Sequence, residues 1–298
     1  LPTFHKPTLH LSLLIFMGIV AISLSSIFIR WSSAPISIMA MYRLLMINAC
    51  MLPFLVFHRH EIKHISPLIG FKLFISGVAL GLHFLFWMES LRWTSVASST
   101  TILTLEPIFV MLGSLWIFRQ KITRAALLSM VIAIVGASLI GWGDFSFIGT
   151  ALQGDLLSLL GTLTIVIHML LGKSLRAHMS AFLYSFFVFL FAGLILAVYN
   201  WIQSYSFTAY PPREWGIFLL LALVPTLLGH YLFNYLLKYM SATSVSMTIL
   251  GEPIGATILA YFILGEQITL LQFIAGCILL VGVALFIRSS KTAPILSG

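Results

Sequence analysis

Apolar runs about as long as a bilayer is thick follow one another along almost the whole chain. They fall at roughly 9–31, 35–57, 70–91, 96–118, 123–142, 154–173, 180–203, 214–238, 243–264 and 269–288. A helix needs about 20 apolar residues to cross the hydrocarbon core. With no water there to satisfy backbone groups, helices and closed barrels are the structures that span it. Long strand-like alternation is absent, which leaves a helical bundle. Charged residues make up 8% of the chain, against about 25% in soluble domains, so a water-facing surface cannot be built. The runs predict an all-α polytopic membrane protein with ten transmembrane helices.

The first run exceeds a signal h-region in length and no small-residue cleavage site follows it, so it is expected to remain as a span. Cys50 and Cys277 fall inside spans and are expected to act as unpaired small hydrophobes. The net charge of +8 is distributed as a topology signal. With the N-terminus in the cytoplasm, twelve basic residues fall inside: Lys6, Arg59, Lys63, Lys72, Arg119, Lys121, Arg124, Lys173, Arg176, Lys238, Arg288 and Lys291. Arg30, Arg92 and Arg213 fall outside, and Arg43 lies within a span. That bias predicts cytoplasmic termini, cytoplasmic loops around Glu61, Lys121 and Arg176, and external loops at 144–155 and 205–213. It is not a nucleic-acid patch.

Two stretches repeat. SVASSTTILTLEPIFVMLGSLWIF starts at Ser95 and SATSVSMTILGEPIGATILAYFIL at Ser241. Aligning Glu106-Pro107 with Glu252-Pro253 gives an offset of 146 (252 less 106), at which Ser98 meets Ser244, Ile122-Thr123 meets Ile268-Thr269, and Val135-Gly136 meets Val281-Gly282. Residues 1–142 therefore read as a first repeat with helices 1–5, 143–153 as an external linker, and 154–298 as a second repeat with helices 6–10. Five spans per repeat require the halves to cross the membrane in opposite directions, an inverted repeat with a central site.

A charge at the bilayer centre costs at least about 2.5–3.5 kcal/mol, so Glu106, Glu252, Arg43 and Glu89 should not face lipid. Pro107 and Pro253 remove the amide partners of the Leu103 and Ile249 carbonyls, which predicts a kink or hinge at each glutamate. The glutamates read as a substrate-amine site, as proton carriers, or as packing locks between helices. Arg43 and Glu89 lie at matching depth and are expected to pair; alternatively Arg43 binds a substrate carboxylate with its planar fork. His83 and Trp87 share one helix face, and His230 and Asn234 share another beside Tyr231, Phe233 and Tyr235. Aromatic groups with a few convergent polar ones make small-molecule pockets; the alternative is aromatic packing with snorkelling tips. The expected cavity lies among spans three, four, eight and nine, gated by one and six, with His168 read as a satisfied core residue. His58, His60 and His64 read as a solvated loop, and no metal or cofactor is expected. Gly77 with Gly81, Gly251 with Gly255, and Ala133, Ala137 and Gly141 form small-residue faces for helix contact, the last alternatively a dimer face.

The half-repeat TILGEPIGATILAYFILGEQITLLQFIAGCILLVGVAL resembles the EamA repeat of the drug/metabolite transporter superfamily, in its small-residue start, Glu-Pro, closing Leu-Gly-Glu and Gly-containing last span. The first half departs at Phe118-Arg119-Gln120, where the second has Leu264-Gly265-Glu266. The resemblance covers nearly the whole chain. It implies two inverted five-helix repeats in the cytoplasmic membrane, as a monomer or homodimer, moving a small metabolite such as an amino acid, export being favoured. GxxxxGK[ST] and GxSxG are missing, and His60-Glu61-Ile62-Lys63-His64 spells HExxH in a loop whose basic neighbours Arg59 and Lys63 disfavour a cation site, so the reading is a secondary transporter with protons as a candidate coupling ion. A membrane-embedded enzyme or a channel subunit is the alternative.

Overall fold

The fold is given by a computed structural model that describes residues 8–94, 99, 102–140, 150–265 and 268–291. Every regular element among the described residues is helical: α1 Thr8–Trp31, α2 Ile36–Met51, α3 Pro67–Ser90, α4 Glu106–Phe118, α5 Arg124–Ile140, α6 Thr150–Arg176, α7 Ala181–Ile202, α8 Pro212–Leu236, α9 Ala242–Ile249, α10 Glu252–Leu264 and α11 Leu270–Lys291. A 3-10 turn (Leu52–His58) and a short helix (Arg59–Ile62) prolong α2. Among the described residues, eight helical segments are long and apolar enough to cross a membrane, one of them running through α9 and α10, and two shorter apolar helices, α4 and α5, accompany them. The external linker and Gly141 fall largely outside the described residues, as does Glu266, while α6 begins at Thr150, inside the stretch read as linker.

Burial is arranged for a lipid solvent. Trp116, Phe262 and Phe57 are 85%, 77% and 77% exposed, whereas Arg43 is fully buried. A main core joins α1, α2, α3, α6, α7 and α8 through Leu44, Leu80, Tyr184, Phe189 and Phe218. Glycines set its spacing: a Cβ on Gly77 or Gly81 would collide with α7 at Phe191 and Ile195. A second core, with Met111, Met130, Ala133, Met247 and Leu279, joins α4 and α5 to α9 and α11.

The α5–α11 contact is reciprocal. A Cβ at Gly136 would sit 2.4 Å from the Leu279 nitrogen, and one at Gly282 would sit 2.4 Å from the Ala133 nitrogen. At the 146-residue offset Gly136 corresponds to Gly282 and Ala133 to Leu279, so the two repeats exchange the same contact. Ala133 and Ala137 are buried inside the chain, so their ladder is an internal seam and not a dimer face. Gly136→Val and Gly282→Val should each destabilise the protein by about 1–3 kcal/mol or more, the cost of overpacking. Thermal melting in detergent reads this; two unchanged melting temperatures would refute the seam.

Two expectations are corrected. Arg43 does not pair with Glu89: Glu89 reaches Arg92, one turn along, at 3.7 Å, while Arg43 turns inward to hydroxyl partners. Nor are the Glu-Pro positions kinks in continuous helices. Ile102 and Leu103 are helical, Thr104 and Leu105 form a turn, and α4 starts at Glu106. In the second half α9 stops at Ile249, Leu250 and Gly251 turn, and α10 starts at Glu252. Proline lacks an N–H, a loss without consequence in a helix's first turn, where that group has no helical partner. Each Glu-Pro is thus a helix start inside the bundle.

Candidate functional site

The broken helices face one cavity of about 80 Å³. Roughly 10–15 Å³ of such space holds one water, so the cavity admits several waters or part of a small solute. Its lining comes from α1 (Ile22, Ser25), α3 (His83, Phe84, Trp87), the turn into α4 (Thr104, Glu106, Pro107), α6 (Ile165, His168, Met169), α8 (His230, Phe233, Asn234, Leu237) and the α9–α10 break (Ser246, Ile249, Glu252, Pro253). The structure brings together His83, Trp87, Glu106, His230, Asn234, Glu252, Pro107 and Pro253 around that space. Arg43 stands apart, and Tyr231 and Tyr235 are outside the lining.

Each carboxyl sits in the first turn of its helix, where unpaired amides and the macrodipole favour negative charge. Glu106 and Glu252 are near enough to interact electrostatically. Glu106 is 6% exposed and its Oε1 has no hydrogen-bond partner; Trp87 is 5% exposed and its Nε1 has none. A buried polar atom left unmet costs about 1–3 kcal/mol. One acceptor and one donor on the lining therefore await water or a solute.

The histidines differ in their fixing. His83 Nδ1 lies 3.0 Å from the Gly161 carbonyl, so that nitrogen is the donor, and the ring stacks on Trp87 at 5.9 Å and 2°. His230 meets Phe84 edge-on at 5.1 Å. His168 Nδ1 is 3.0 Å from Ser76 Oγ, which is 2.8 Å from the Tyr184 hydroxyl. It is satisfied, as expected of a core residue, but it also lines the cavity.

Arg43 is explained by α8. Residues Ala222–Tyr231 wind as a π-helix around Pro225. Pro225 has no amide to offer the Leu221 carbonyl, and the Thr226 hydroxyl donates to it instead at 2.7 Å. Thr226 Oγ1 in turn accepts from Arg43 Nε at 2.9 Å, Arg43 Nη1 reaches Ser25 Oγ at 3.4 Å, and the guanidinium lies 4.3 Å over Phe84. The cation thus stands one side chain behind the wall, close enough to interact with Glu252. Sequence reasoning missed Thr226, although a Pro-Thr pair in a span is a readable sign, since the hydroxyl can serve the carbonyl that proline frees.

Both ends of the site are tied. At one end Ser90 and Ser99 hydroxyls meet at 2.6 Å, Ser158 donates to the Ser99 carbonyl at 2.7 Å, and Glu214 accepts from Ser32 and from the Ser33 amide at 3.0 Å. At the other, Lys173 Nζ donates to the Leu237 and Met240 carbonyls, both at 2.8 Å, and Arg176 Nε donates to the Asn234 carbonyl at 2.9 Å. The loop histidines lie away from the cavity: His58 stacks on Phe182 at 4.2 Å, and Glu61 accepts from the Ser180 amide. Cys50 and Cys277 are free and exposed.

Residues 11–142, and again 152–288, match the EamA-like transporter family. The chain is 26% identical over 214 residues to the uncharacterized transporter YetK of Bacillus subtilis (strain 168), covering 68% of this chain and 63% of that one. It is 25% identical to an uncharacterized transporter of Archaeoglobus fulgidus, covering 66% of this chain and 69% of that one. One solved crystal structure superposes on 96% of this chain and 99% of its own with a TM-score of 0.78, at 15% identity, a likeness of fold alone.

Proposed function

Because the chain belongs to the EamA-like transporter family, we propose that it is a secondary transporter that exports a small amine-bearing metabolite, an amino acid or a relative of one, across the cytoplasmic membrane. The observation that carries this reading is the cavity at the two broken helices, with two carboxyls, an unmet acceptor and an unmet donor. Irregular backbone at membrane depth is tolerated where it lines a cavity, and half-helix ends facing a central site recur in transporters. The α4 and α5 helices complete ten spans, and the repeats are inverted about the cavity. Ties at both ends are what alternating access needs, since one must open while the other holds. Export fits a site of this kind charged from the cytoplasm. Ligand binding raises the melting temperature by mass action, so a thermal-shift screen of amino acids, amines, nucleosides and polyols, followed by efflux from loaded proteoliposomes, tests the reading. No solute moving would refute it.

Orientation is tested separately. In a background with Cys50→Ala and Cys277→Ala, single cysteines near Lys121 should react with an impermeant maleimide only after cells are opened. Cysteines near Ser206 should react in intact cells. The reverse pattern would overturn the cytoplasmic termini.

A further inference from the structure

We propose that the cavity takes a monovalent organic amine bearing a neutral hydrogen-bond acceptor and no carboxylate, and that this amine displaces one proton. The inference rests on the transporter reading and narrows its substrate. Charge comes first. Glu106 from α4 and Glu252 from α10 line the space, and among the described residues no lysine or arginine side chain does. Arg43 from α2 stands behind Ser25 and Phe84 and interacts with Glu252. The other titratable groups facing the carboxyls are His83 from α3, His168 from α6 and His230 from α8, while α1 offers Ser25 and α9 offers Ser246.

Two carboxylates against one guanidinium leave room for one positive charge. An unbalanced charge in so dry a place costs several kcal/mol. One proton supplies the balance when the cavity holds no solute, and one ammonium supplies it when solute is bound. The exchange is balanced: the ammonium enters from water, the carboxyl O–H breaks, and the proton leaves to water. Glu106 Oε1, buried and unmet, is the acceptor that an ammonium with its three donors fits.

The rest of the lining limits the remainder of the solute. The stacked His83–Trp87 pair, Phe84 and Phe233 suit an apolar body. Trp87 Nε1 requires an acceptor. A carboxylate there would bring a third negative charge opposite two others, and the Arg43 fork, bonded through Nε and Nη1 to Thr226 and Ser25 with only Nη2 unmet, stands behind the lining and not on it. An amide, hydroxyl or carbonyl meets the indole without that cost. An α-amino acid is thereby disfavoured against its own amide.

Two matched trios test this: phenylalaninamide, phenylalanine and 3-phenylpropanamide, and the smaller alaninamide, alanine and propanamide. Within the trio that fits, the amino acid amide should bind at least about tenfold more tightly than the amino acid, because like charges placed together cost several kcal/mol. The amine-free amide should not bind. Titration in weak buffer at about pH 6, where the free amines are charged because α-amino groups titrate at about 7.7–8.0, should release about one proton per amine bound, and below that pH affinity should fall as pH falls. Glu106→Gln should lose both the preference and the proton release, and Glu106→Asp should restore the preference in part. Equal or tighter binding of the free amino acids, or binding without proton release, overturns the proposal, as does failure of both trios. A parallel counterflow panel of neutral and anionic metabolites separates the two readings. Transport of an amine-free solute refutes the amine while the transporter stands, and silence across trios and panel refutes both.

Discussion

Proteoliposomes carrying Glu106→Gln should fail to accumulate solute under an imposed pH gradient, falling to the level of empty liposomes, while the wild-type protein concentrates it. A carboxyl at membrane depth costs at least about 2.5–3.5 kcal/mol, and Glu106 recovers little through hydrogen bonds, since its Oε1 has none. A residue that merely locked packing would be bonded across to a neighbouring helix. Glutamine keeps the shape and the polar contacts but cannot take up or release a proton, so the variant isolates that function. Its melting temperature should stay near wild type, because the helix start at Glu106-Pro107 does not need the charge. Solute-for-solute exchange at equal pH on both sides should persist at high solute concentration. Glu252→Gln should behave alike, since Glu252 holds the equivalent place at the start of α10. Undiminished gradient-driven accumulation in both single variants and the double variant would remove these glutamates from the coupling.

The pattern of hydropathy carried the helices, and the 146-residue repeat carried the relation between α4 and α10, because both follow from local sequence. The same repeat placed His83, Trp87, His230 and Asn234 on helices that the structure brings to one cavity. The fate of Arg43 was not legible. Matching depth suggested Glu89, but depth leaves the rotation of a helix about its axis unspecified. That rotation is set by close packing, as where α3 lies on α7 at Gly77 and Gly81. Proline suggested a kink, yet a kink and a break differ only in whether the next turn reforms. At Glu252 the preceding Gly251 and the capacity of Glu-Pro to open a helix decided for the break. Lys173 and Arg176 were read for charge sidedness alone, although both also close the end of α8.

Replacing Lys173 by methionine should open the cavity at that end and raise its accessibility about tenfold to a hundredfold. The last carbonyls of a helix have no amide partner within it, and those of Leu237 and Met240 both accept from Lys173 Nζ. Arg176, 2% exposed, adds the Asn234 and Met179 carbonyls and so joins α6, the loop after it and α8. Asn234 and Leu237 line the cavity by their side chains, so the same residues that close its floor are held through their backbones. A hydrogen bond to a charged group contributes about 1.5–3 kcal/mol, and each 1.4 kcal/mol is about a factor of ten in population. Methionine retains the apolar stem while removing the donors. A cysteine in place of Ile165, in the cysteine-free background, reports from the wall of the cavity. Its reaction with an impermeant maleimide applied from the Lys173 side should speed up in Lys173→Met and again in Lys173→Met with Arg176→Met. From the opposite side, where the serines and Glu214 hold, the same cysteine should react more slowly than before, because opening one end of an alternating-access protein depletes the state open at the other. Faster reaction from both sides at once would mean a leak through a loosened bundle, and a lowered melting temperature would accompany it. Unchanged rates from both sides would show that these bonds support the fold without closing the path.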